Sequence, residues 1–209
     1  MILIILMLNF GISWFNAWSV GRYWSESKEI GGAVRFNVWI GYIMSIVGFT
    51  WVYLCLLSYI VAFIAPGIFS KDFDYETLST FMLNLGYIII APVVIATGFA
   101  ATIQSWVNFW KNRNLANGAV MTWNTYVQIR NTMNFARVAP SAFGRVLKIA
   151  FGGRGKKGNA IIIILGIVLI ILAFAGGYFT ASAILKKSDR NYVFDFKEAY
   201  IVDEPTEEQ

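Results

Sequence analysis

The sequence predicts an all-α membrane protein with four transmembrane helices, and two observations carry that prediction. Only 14% of the 209 residues are charged, against 57% hydrophobic, where an ordinary soluble domain carries about 25% charge. The charges are also segregated, for no Asp, Glu, Lys or Arg occurs in 1–21, 36–70, 77–110 or 158–185. A helix needs about 20 mostly apolar residues to cross about 30 Å of hydrocarbon, and each window supplies them. A soluble bundle of four such helices lacks the charged residues to cover its outside.

The first span is expected over 2–20, closed by Arg22, Tyr23 and Trp24, a cationic and aromatic set suited to the membrane interface. No basic stretch or small-residue cleavage site marks it as a cleaved signal, so it is expected to stay in the mature protein. A polar link, SESKEIGGAVR, follows. The second span, 37–65, exceeds what a bilayer requires, so tilt or extension is expected. It ends at Pro66-Gly67, a pair that interrupts a helix. After an acidic link containing DFDYE, the third span covers 81–110. Pro92 lies inside it, a kink that membrane helices tolerate where neighbours satisfy the freed carbonyl.

Residues 111–157 read as a long basic cytoplasmic loop with nine cations and no acidic residue. One or two amphipathic interfacial helices are expected in it. AVMTWNTYVQIRNTMNFARV has helical composition, and Pro140 can open a second helix, with Phe143, Val146, Leu147 and Ala150 on one apolar stripe. The fourth span is expected over 160–185, ended by Lys186-Lys187. The segment 1–185 thus forms a single transmembrane domain, and 186–209 a polar tail that turns acidic. Cations on 22–35 and 111–157 outnumber those on the other connections by twelve to five. The preference of Lys and Arg for the cytoplasmic side then places both termini outside the cytoplasm, in an integral protein of a bacterial cytoplasmic membrane. The bacterial assignment is a prior from the compact architecture.

Polar residues inside the spans are the candidate functional positions. Asn9, Ser13 and Asn16 fall at i, i+4 and i+7 and share one helix face. Asn37, Gly41, Ser45 and Gly48 make a small or polar stripe on the second span, and Ala173, Gly177 and Ala181 a small-xxx-small ridge on the fourth. Such faces either pack helix on helix through close approach and hydrogen bonds or line a pore. Packing is the favoured reading.

The chain has no histidine, which removes His-ligated haem, His-containing metal centres and His general bases. The spans hold no ionisable acid or base, so proton relays and charged ion sites lack their usual residues. DFDYE lacks the spaced ligands of a calcium loop, and RGKKG lacks the spacing of a phosphate loop. No catalytic, metal or cofactor residue is therefore expected, and no enzyme. The basic loop suits anionic lipid headgroups, with Arg137, Arg145, Lys148, Arg154, Lys156 and Lys157 as the contacting cations. Nucleic acid is a weaker partner, since no binding motif accompanies the charge. The expected function is a non-enzymatic subunit or scaffold of a bacterial or phage-encoded membrane assembly, with protein partners or further copies of itself. The alternative is a homo-oligomeric pore lined by the polar face of the first helix.

Overall fold

A computed structural model describes residues 2–30, 32–67, 73–151 and 156–189. Nearly all of them are helical: α1 (Ile2–Arg22), α2 (Trp24–Ile30), α3 (Gly32–Tyr59), α4 (Tyr75–Lys111), α5 (Leu115–Phe151) and α6 (Lys156–Asp189). A π turn over Ile60–Ile64 and a 3-10 turn over Ala65–Gly67 continue α3. The segments Leu3–Arg22, Val34–Gly67, Tyr75–Lys111 and Ala160–Asp189 are long and apolar enough to cross a membrane. The chain is an integral membrane protein by that measure.

Local chemistry sets the helix ends. Gly32 has φ of +55°, a left-handed conformation that a residue with a Cβ resists, and it turns the chain from α2 into α3. The acidic link supplies a cap: the Asp74 carboxylate accepts from the backbone N–H of Thr77 at 2.9 Å and from the Thr77 hydroxyl. That satisfies an otherwise orphaned donor in the first turn of α4. Asn114 does the same for α5, its Oδ1 accepting from the Asn117 N–H at 2.8 Å.

α3 is the central element. It packs against α1, α4 and α6, all three antiparallel to it. Val20 covers Gly41 and Ser13 covers Gly48, while Leu54 covers Gly86. One cluster joins Ala17, Tyr42, Ile46, Phe49, Ala181 and Leu185. A second gathers Leu54, Leu78, Phe81, Met82, Ile162 and Ala173.

The largest departure from the sequence pattern lies in 111–157. In place of a loop with short helices, Leu115–Phe151 forms one helix of 37 residues, as long as α4. It turns at 112–114 and runs back along α4. Phe109 lies against Gly118, the Thr102 hydroxyl reaches the Asn124 carbonyl at 3.4 Å, Gln128 Nε2 donates to the Ile95 carbonyl at 3.1 Å, and Tyr87 meets Phe135. Pro140 does not break it, because Ala142 is buried and Val146 and Ile149 pack on the second cluster beyond the proline. Those three positions form the inner stripe, leaving Phe143 and Leu147 exposed.

Because α5 returns the chain to the starting end of α4, α6 runs parallel to α1. Leu185 and Ser188 sit on Gly21, and the Ser188 hydroxyl donates to the Trp18 carbonyl at 2.6 Å. The N-terminal end of α1 and the C-terminal end of α6 therefore lie at opposite ends of the bundle. A count of four alternating crossings had put both termini on one side.

Candidate functional site

Halfway along the bundle a half-open cleft of about 460 Å³ lies between α1 and α5, floored by α3 and α4. Asn9, Ser13 and Asn16 form one wall, and Asn131 and Asn134 belong to the opposite wall. The floor is apolar, including Met44, Val47, Trp51, Ile90 and Val94. The four asparagine side chains make no hydrogen bond to the described residues. Ser13 does: it is 4% exposed and its hydroxyl donates to the Asn9 carbonyl at 2.8 Å.

The other candidate positions lie elsewhere. Ser45 is fully buried and donates to the Gly41 carbonyl at 2.8 Å. A Cβ on Gly177 would stand 2.8 Å from the Thr50 nitrogen and 2.9 Å from the Ile46 carbonyl oxygen, so backbone meets backbone there. Ala173 and Ala181 are buried among the two clusters. Asn37 is exposed. Two hydroxyl bridges fasten α3 to α6, Tyr42 with Ser182 at 2.7 Å and Tyr53 with Thr180 at 2.8 Å.

Among the cations singled out from sequence, Arg137, Arg145 and Lys148 are exposed on α5. Arg154 lies outside the described residues, as do the side chains of Lys156 and Lys157, whose backbones open α6. The helix adds a pattern that a loop reading hides. Arg130, Arg137, Ser141, Arg145 and Lys148 fall at i, i+7, i+11, i+15 and i+18, and all five are exposed, while Asn134 at the edge of this row borders the cleft. At 3.6 residues per turn the five make one straight stripe, turned away from the buried Gln128 and Ala142. Asn131 and Asn134 were missed in the sequence, where the only signal was that same periodicity of polar residues.

A second polar centre closes the end where α2 meets α6. The Ser25 hydroxyl bridges both Asp189 oxygens at 2.8 and 2.9 Å, and Trp24 packs with Trp39 and Tyr42. Glu26 lies near Glu29 and Asp189. Burial first, then repulsion from those two carboxylates, raises its pKa above the ordinary 4.5.

Among the described residues no three His, Cys, Asp or Glu side chains converge as a metal site. Compared with protein-family models, with curated proteins and with solved structures, the chain matches none. It is thus a helical integral membrane protein with four helices fit to span a bilayer and a fifth, polar helix laid along them.

Proposed function

We propose that the protein is a non-enzymatic subunit or scaffold of a membrane assembly, and that the outward stripe of α5 is the face it offers to the assembly. One observation supports this reading above others. Residues 124–146 of α5 lie beside 78–102 of α4, inside the uncharged stretch 77–110. Arg130 and Arg137 are therefore exposed at the depth of apolar helices. An arginine at the centre of a lipid-facing helix costs about 2.5–3.5 kcal/mol on insertion scales, so two together are expected to face protein or water instead. A protein neighbour bearing carboxylates or backbone carbonyls meets that need.

The homo-oligomeric pore lined by α1 is the weaker reading. Ser13 is turned against Gly48 of its own chain, and Asn9 and Asn16 look into the cleft, so the polar face is directed inward and not toward a neighbouring copy. Arg145 and Lys148, near the end of α5, lie at the end of the bundle opposite the α4–α5 turn, so the lipid headgroups of that leaflet are the ones that would meet them.

Helix directions also bear on orientation. The end formed by α2, the α4–α5 turn and the end of α6 gathers Arg22, Lys28, Arg35, Lys111, Arg113, Lys186 and Lys187. Among the described residues, those seven cations against four at the opposite end (Arg145, Lys148, Lys156 and Lys157) favour that end as the cytoplasmic side, in a bacterial cytoplasmic membrane, with the start of α1 outside.

Photocrosslinking tests the subunit reading. A benzophenone amino acid at Ser141, exposed on the stripe, is expected to give a discrete protein adduct in membranes, whereas one at Ile171 on the exposed face of α6 gives none. Isolation as a monomer with no adduct from Ser141 would overturn the proposal.

A further inference from the structure

The cleft poses a separate problem. Asn9, Asn16, Asn131 and Asn134 carry four carboxamides into a space halfway along helices that are otherwise apolar, and none is hydrogen-bonded to a described residue. An amide left unpaired in an apolar medium carries a large desolvation cost. Whatever fills the cleft must therefore supply both donors and acceptors, because each carboxamide presents an NH₂ and a carbonyl oxygen.

Three kinds of occupant can be weighed by size and lining. A partner helix is too large. One helical turn, about 10–12 Å across and 5.4 Å high, fills roughly 400–600 Å³, so the 460 Å³ cleft holds a single turn of a helix that needs many. A continuous water column lacks a route, since the polar face of α1 gives way to Ile5 and Leu6 on one side of Asn9. On the other side of Asn16 it meets Val20, which is seated over Gly41. A small amphiphile fits: pockets of about 300–1,000 Å³ with apolar walls and a few convergent polar groups are the usual form of ligand sites.

The lining also selects the head group. It contains no Asp, Glu, Lys or Arg, so nothing in it neutralises a charge. Amide carbonyls on both walls need O–H or N–H donors, which an acceptor-only head such as a quinone does not provide. We infer that the cleft binds an uncharged, hydroxyl-bearing amphiphile of the acylglycerol class, its head held between the α1 and α5 asparagines and its chain on the apolar floor. This inference does not rest on the subunit reading, which depends on the outward face of α5.

The test uses the full chain in phosphatidylcholine nanodiscs and a monoacylglycerol carrying a diazirine in its acyl chain. Photolabel is expected on α3 and α4 at the floor, near Met44 and Val94, and unlabelled monoolein should compete it away. Hexadecane, phosphatidylglycerol and decylubiquinone should compete at least tenfold less well. The double change Asn9→Leu with Asn131→Leu should lower labelling at least tenfold. Asn134→Ala, at an exposed position that folding tolerates, should lower it several-fold and serves if the double variant aggregates. Absence of floor labelling, labelling indifferent to the loss of the amides, or equal competition by hexadecane would overturn the inference. Equal competition by phosphatidylglycerol would overturn the uncharged head, and by decylubiquinone the hydroxyl requirement. Crosslinking at Ser141, which does not line the cleft, reads none of these outcomes, so the two proposals fail separately.

Discussion

Where α3 meets α6, Gly177 lets two backbones touch, and tyrosine hydroxyls on α3 reach Ser182 and Thr180 across the seam. Where α4 meets α5, contact is made through long polar side chains, with Gln128 laid over Gly98 and Trp106 donating to Thr125 at 2.9 Å. Beside that seam the carboxamides of the cleft stay unpaired. In hydrocarbon, helices gain little from burying apolar surface, because lipid is as apolar as leucine, so association depends on close packing and hydrogen bonds. The α3–α6 seam uses both within its own chain. The α4–α5 seam bonds Gln128 to Ile95 and Trp106 to Thr125 across it. But α5 also turns Arg130 and Arg137 outward and shares the cleft of unpaired carboxamides with α1, and this difference separates the part that holds the fold from the part open to other molecules.

The sharpest way to break the comparison is at Gly177. Gly177→Leu must displace the backbone of α3 at Ile46 and Thr50, and overpacking of this kind costs about 3 kcal/mol. The expected outcome is a large loss of folded protein in a detergent thermal-melt assay. Gly41→Leu should cost less, because the atom it meets is a methyl group of Val20, a side chain that can move. Equal damage from both would show that backbone contact is not what distinguishes the seam.

Asn16→Leu sharpens the other side. Packed between helices, Asn16 would contribute about 0.6 kcal/mol, the average for a hydrogen bond between membrane helices. Lining the cleft without a partner, it should leave the melting temperature within error, or raise it slightly. A clear loss of stability would show that the amide is bonded within the bundle after all.

The smallest effect is expected at Glu26. Its pKa is raised in the folded chain, so the ionised carboxylate is the form that folding disfavours. The penalty is present above the folded pKa, diminishes as pH falls through it, and is gone below the ordinary 4.5. Amide exchange at Leu185–Asp189 should accordingly slow as the pH is lowered from neutrality toward the ordinary 4.5, after correction for intrinsic rates. Glu26→Gln should slow it at neutral pH and remove the dependence. A variant that keeps the wild-type pH response would show that Glu26 is not its source.

Segregation of charge determined by itself that this is a helical membrane chain with four spanning helices. Composition over about 20 residues answers that question, and no tertiary contact is needed for it. The small residues on the second and fourth spans were visible as stripes for the same reason, since a 3.6-residue period is local. Tertiary structure alone decided the rest. Residues 115–151 carry too many amides and cations to read as a spanning helix, and Pro140 reads as a boundary. Only burial of Ala142 and packing of Val146 and Ile149 against the core carry that helix past the proline and on along α4. The returning helix sets α6 parallel to α1, and it brings Asn131 and Asn134 across from Asn9 and Asn16, more than 100 positions away in the chain. No periodicity within one helix records which face of another it will meet, because that choice belongs to the side chains of both.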